Sequence, residues 1–111
     1  MTSTVTAPTT SVPVVPIDRS AFRVLLAELR ADCVREREQA LAESATSMPD
    51  AVAVSRAGRL LRTVEEIDAA LQRISDGTYG ACVRCGADIP PERLEFRPFA
   101  AGCVACEERA R

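Results

Sequence analysis

Cys82-Val83-Arg84-Cys85-Gly86, followed seventeen residues later by Cys103-Val104-Ala105-Cys106, is the stretch from which the rest of the chain is read. Each Cys-x-x-Cys knuckle sets two sulfurs on one side of a tight turn. Two knuckles at this separation have the spacing of a structural zinc site, in which four thiolates surround one ion tetrahedrally. Gly86, just after the second cysteine, can take the backbone angles such a turn needs. The competing reading is two disulfides. The N-terminal residues lack a secretory leader and a fifth cysteine, Cys33, is left over, so a reducing compartment and zinc are the expectation.

A chain of 111 residues cannot bury a large single core, and a metal staple offsets that shortage. It contains no histidine, which excludes histidine-based general bases, Ser-His triads and mixed Cys/His zinc fingers. All fourteen basic residues are arginines, they mingle with sixteen acids, and the net charge is -2. That balance lacks the basic face of a nucleic-acid-coating protein, so direct DNA binding is not expected. No apolar run is long enough to span a bilayer, and a soluble, cytoplasmic, monomeric protein is expected.

Working outward from the knuckles, the sequence divides into three parts. Residues 1–17, with prolines at 8, 13 and 16 and no charge before Asp18, read as a disordered tail. Residues 18–77 read as a helical hairpin. Its first helix runs from an N-cap at Asp18 to about Ala45. Its second begins near Ser47, where Ser47 and Asp50 form a capping pair, and stops at Asp76-Gly77. Residues 78–111 form the four-cysteine module, with a short helix after Pro90-Pro91 and another after Cys103 whose first turn aims backbone N–H groups at the sulfurs. Ile89, Leu94, Phe96 and Phe99 are its candidate core.

The second arm carries Ala53, Ala57, Leu60, Val64, Ile67, Leu71 and Ile74 at alternating gaps of four and three, a coiled-coil seam. The first arm carries Phe22, Leu26, Leu29, Cys33, Glu36 and Ala40 in the same rhythm. Folding one arm back on the other pairs Phe22 with Leu71, Leu26 with Ile67, Leu29 with Val64, Cys33 with Leu60, Glu36 with Ala57 and Ala40 with Ala53. This places the hinge at residues 46–47. The layers shrink toward that hinge, which makes the tip slim, whether as a frayed end or as a narrow probe. Cys33 reads as a small buried hydrophobe. Glu36, on the seam, can reach outward toward Arg56 or Arg59, which with Arg62 form a basic stripe facing Glu38 and Asp32. That stripe is either solvated charge or a contact for an acidic partner.

Tyr79-Gly80-Ala81-Cys82-Val83-Arg84-Cys85-Gly86, Ile89, Arg93-Leu94-Glu95-Phe96-Arg97-Pro98 and Cys103-Val104-Ala105-Cys106 together resemble the DksA/TraR family of zinc-finger transcription regulators. The likeness covers about the last third of the chain in letters and the hairpin in architecture. It implies a mostly α fold, an antiparallel two-helix coiled coil on a four-cysteine zinc module. It also implies one structural zinc on Cys82, Cys85, Cys103 and Cys106, and a protein that binds RNA polymerase rather than DNA, its hairpin entering the secondary channel to modulate initiation.

The tip departs from the family pattern. Where well-known members carry Asp-x-x-Asp-x-Ala, this chain has Asp50, then Ala53 and Ser55, and it has no lysine for the surface through which the family contacts guanosine tetraphosphate. The candidate tip contacts are Ser47, Asp50, Arg56 and Arg59, with Asp50 equally readable as a helix cap. Two other classes stay open: a nucleic-acid-binding zinc ribbon using Arg84, Arg93, Arg97, Arg109 and Arg111, and a sensor in which loss or oxidation of the zinc thiolates melts the module. An enzyme is not expected, because a site closed by four cysteines keeps no open coordination position.

Overall fold

The computed structural model describes residues 17–45 and 50–110. Four helices follow in chain order: α1 (Arg19–Ser44), α2 (Ala51–Asp76), α3 (Pro91–Phe96) and α4 (Val104–Arg109). The two long helices have 26 residues each, which at 1.5 Å per residue makes arms of about 39 Å. They pack on each other along their length. Two short helices and the knuckle turns sit at their base.

Local chemistry sets where the arms begin and end. The Asp18 carboxylate accepts from Ala21 N at 3.1 Å and so satisfies a donor that α1 cannot pair internally. At the other end of α2, Gly77 takes a φ of 81°, and Thr78 and Tyr79 both return their N–H groups to the Arg73 carbonyl. The start of α2 differs from expectation. Asp50 is itself the N-cap, its Oδ1 accepting from Val52 N at 3.0 Å and Ala53 N at 3.2 Å, and the helix opens at Ala51 rather than near Ser47. An aspartate two residues before Val52 offers one acceptor to two N–H groups that the helix leaves unpaired. Ser47 and the hinge at 46–47 lie outside the described residues.

The seam is buried as its rhythm predicts. Leu26, Ala40, Ala53, Ala57, Val64, Ile67 and Ile74 are buried, and Phe22, Leu29, Cys33, Leu60 and Leu71 are half-buried. Glu36 is the exception and is exposed. An unpaired carboxylate gains nothing from a seam it cannot hydrogen-bond within, so solvent keeps it. Ala70, which the rhythm does not include, is 0% exposed because α2 there meets the knuckle module as well as α1.

One apolar cluster joins arms and module. Leu26, Ile67, Ala70, Ile74, Tyr79, Cys82, Ile89, Leu94, Ala100 and Cys106 are its buried members, with Ile17, Phe22, Phe99 and others packed against it. Phe22 and Tyr79 meet with ring centroids 5.5 Å apart, a tilted pairing across the junction. Gly80, at φ 96°, accepts Ile17 so closely that an added Cβ would lie 2.6 Å from its Cδ1. Phe96, expected in this core, is instead 92% exposed. Leu94 points inward from α3, and a residue two places on is carried about 200° around the helix, away from it.

The ion pairs also differ from the expected pattern. Asp32 pairs with Arg35 on its own helix, and Arg56 reaches Glu43 across the hairpin at 3.5 Å rather than Glu36 or Glu38. Arg30 makes a two-pronged contact with Asp68, the closer at 2.6 Å. These pairs are partly solvated and count for less than the seam.

Leu26 and its neighbour Leu25 separate buried from exposed contributions. Leu26→Ala is expected to lower unfolding stability by about 2–5 kcal/mol, and Leu25→Ala, on a side chain already 36% exposed, by well under half of that. Urea denaturation followed by circular dichroism measures both.

Candidate metal centre

The site is built from two turns and one helix end. Cys82 N donates to Ala87 O at 2.8 Å and Gly86 N to Cys82 O at 2.9 Å, with Gly86 at φ 78°, so the first knuckle closes on itself. Ala81 and Asp88 form an isolated antiparallel bridge that holds the stem of this turn. Val83 N donates to Ala101 O at 2.9 Å and ties the first knuckle to the approach of the second. Cys103 is the residue before α4 and Cys106 lies in its first turn.

These supports bring Cys82, Cys85, Cys103 and Cys106 together with all four Sγ atoms within 4.8 Å of one another. Cys85 Sγ and Cys103 Sγ are 3.8 Å apart. Sulfurs about 2.3 Å from a tetrahedral zinc lie about 3.8 Å from each other, so the donor set and its spacing fit one zinc ion. All five cysteines are free thiols, which sets the disulfide reading aside. Cys82 and Cys106 are buried against the apolar cluster, Cys103 is half-buried and Cys85 faces solvent.

Hydrogen bonds prepare the sulfurs for charge. The N–H groups of Cys85, Cys103 and Arg84 pull the Cys82 thiol down to about 6, and Arg84 N lies 3.4 Å from its sulfur. Cys103 is lowered by the N–H of Cys106, the help expected from the first turn of α4. Cys106 is pushed up to about 11 by its hydrogen bond with Cys103, which Arg109 opposes by donating Nη2 to its sulfur at 3.2 Å. Proton sharing of this kind among four crowded thiols ends when a divalent ion takes the place of the protons.

A clasp of polar contacts fixes the module around the sulfurs. Tyr79 Oη donates to Pro98 O at 2.7 Å, Arg73 Nη2 to Ala100 O at 3.4 Å and Arg93 Nε to Gly102 O at 3.3 Å. Arg93 also pairs with Glu107 of α4. Burial pushes the Tyr79 hydroxyl up to about 12, against a smaller downward pull from Arg73. Sequence reasoning left Arg73, Arg93 and Arg109 without these roles; only the three-residue step from Cys106 to Arg109 carried a local signal. Arg97 stacks over the Phe99 ring at 5.2 Å. Cys33 stands apart from the four, its thiol raised by burial and then by Glu36 and Asp32, the environment of an unreactive thiol.

At the far end of the hairpin, Asp50 is exposed, Arg56 is half-buried with its Glu43 contact, and Arg59 Nη1 donates to Ser55 at 3.3 Å. The structure does not bring these tip candidates together with the metal centre.

Residues 77–111 match the prokaryotic dksA/traR C4-type zinc finger. A solved structure of transcription factor DksA2 from Pseudomonas aeruginosa superposes with a TM-score of 0.67 at 29% identity, covering 83% of this chain and 81% of that one. The chain belongs to the DksA/TraR family. Its match to the RNA polymerase-binding transcription factor DksA of Caulobacter vibrioides is 39% identical over 75 residues, 67% of this chain and 53% of the relative. An RNA polymerase-binding regulator from Chlamydia trachomatis shares the fold, with a TM-score of 0.59 at 24% identity over 87% of this chain and 91% of that one. The chain spans about half the length, or less, of the curated relatives it matches.

Tyr79 is the only tyrosine in the chain, so its ionisation reports on the module directly. With zinc bound it is expected to titrate near 12, read from phenolate absorbance, and after chelation near the ordinary value of about 10. Since the folded value is the higher one, the associated stability is complete below about pH 10 and is lost as pH rises toward 12.

Proposed function

We propose that this protein binds RNA polymerase and modulates transcription initiation by inserting its hairpin into the secondary channel, acting as a binding protein and not as an enzyme. The observation that carries this is the match to DksA2 across 83% of the chain, hairpin and zinc module together, and not only across the knuckles. The shape is apt for insertion. The arms are about 39 Å long, and their layers narrow from Leu26 and Ile67 at the base to Ala40, Ala53 and Ala57 near the tip, where small side chains let the helices run close.

Asp50 is the tip residue that this reading depends on. Among the described residues, both hydrogen bonds to its carboxylate go to Oδ1 and none to Oδ2. One carboxylate can thereby cap α2 and offer a charged acceptor outward, so capping and contact do not compete. Arg59 and the exposed face of Arg56 supply cations on the same half of the arm, suited to acidic surfaces of the enzyme. Ser47 is a further contact in this proposal. The bacterial cytoplasm is where such a protein acts. No helix among the described residues is long and apolar enough to cross a membrane. The missing second tip aspartate and the absence of lysine argue for a response that does not depend on guanosine tetraphosphate.

Capture of core RNA polymerase by the zinc-loaded chain, with displacement by a second secondary-channel binder, tests the proposal. Asp50→Asn keeps the capping oxygen and removes the charge, and it is expected to leave helicity and zinc content unchanged while weakening regulation in a purified transcription assay. Asp50→Ala loses the cap as well, about 1 kcal/mol of helix stability. Salt-sensitive DNA binding with no polymerase capture would instead favour the zinc-ribbon reading.

A further inference from the structure

We propose that Arg109 is a positioning residue of the zinc centre, a cation that holds the Cys106 thiolate as a ligand and slows its departure from the metal. The proposal rests on the zinc reading alone and is independent of any partner.

Four thiolates around a divalent ion carry a net double negative charge, and Cys106 is one of the two sulfurs buried away from water. Stabilising that charge therefore falls to nearby donors. Cys82, the other buried sulfur, has the backbone N–H groups of its knuckle, including Arg84 N at 3.4 Å. Cys106 receives the guanidinium of Arg109, Nη2 to Sγ at 3.2 Å, delivered from three residues further along α4. A charge-assisted N–H donor at that distance offsets the negative charge of a metal-bound sulfur and restrains its orientation.

Among the described residues, the neighbouring carboxylates leave Arg109 to this contact. Glu107 is engaged by Arg93, which also holds the Gly102 carbonyl just before the second knuckle. Glu108 makes no hydrogen bond or ion pair with Arg109 among the described contacts. A merely structural role, as a cation at the C-terminal end of the six-residue α4, would act on the helix and not on the sulfur.

The test uses the zinc-loaded full chain and three variants: Arg109→Ala, Arg109→Lys and Arg84→Ala. Arg84→Ala removes the same charge from the module and keeps the backbone N–H that reaches Cys82. At fixed pH and ionic strength, zinc transfer to a colorimetric chelator is expected to be about tenfold faster for Arg109→Ala, intermediate for Arg109→Lys and close to wild type for Arg84→Ala. In the cobalt-substituted protein, the thiolate-to-metal charge-transfer band is expected to move to lower energy in Arg109→Ala only, because a sulfur without the N–H donor carries uncompensated charge and holds its lone pairs at higher energy. Equal acceleration by Arg109→Ala and Arg84→Ala, or an unmoved cobalt band in a folded Arg109→Ala protein, would overturn the proposal. If Arg109→Ala does not fold, the cobalt band and transfer rate of Arg109→Lys decide it: wild-type values for both contradict the assignment.

Discussion

Four sulfurs within 4.8 Å of one another are the constraint on which the rest of this small structure rests. The module that carries them has two helices of six residues each and one isolated bridge, too little regular structure to stand alone. Zinc binding to such modules supplies on the order of 10 kcal/mol, comparable with the whole stability of an ordinary domain. That energy does more than close the loop between the knuckles. Cys82 and Cys106 belong to the same buried cluster as Leu26, Ile67 and Ile74, so fixing the sulfurs also fixes the surface against which the two long arms converge.

The arms therefore have a firm end and a soft end. At the base, large side chains, the Phe22–Tyr79 ring contact and the Tyr79 and Arg73 hydrogen bonds to the loop before Cys103 lock helices to module. Toward the tip the buried layers consist of alanines, which bury little apolar area, and cohesion there leans on the Asp50 cap and solvated pairs such as Glu43 with Arg56. A slim end with little core is costly for stability and useful for reaching into a confined space.

Much of this was legible in the sequence, for identifiable reasons. The knuckle spacing is set by metal geometry, and the seam by the period of the helix, so Cys82, Cys85, Cys103 and Cys106 and the run from Ala53 to Ile74 could be read from letters alone. Asp18 and Gly77 followed from capping chemistry. What the pattern missed depends on three-dimensional neighbours. Glu36 has the right number for the seam and the wrong chemistry for it, Ala70 is buried by a module that contributes nothing to helical rhythm, and Phe96 is turned outward because Leu94 takes the inward face of α3. The arginine contacts to Ala100 and Gly102 join separate segments that no spacing rule announces, and only the three-residue step from Cys106 to Arg109 left a local signal. At α2 the cap lies three residues after Ser47, because Ser47 and Asp50 match a capping motif that a single aspartate can replace.

The central claim is that the metal centre and the base of the hairpin are one cooperative unit. Backbone hydrogen exchange, followed by mass spectrometry with and without a zinc chelator, tests it most directly. The account predicts that zinc removal deprotects residues 79–106 together with the base halves of both arms, around Leu26 and from Ile67 to Ile74. If those helical segments keep their protection after the module has lost its own, the sulfurs hold only themselves and the account is contradicted.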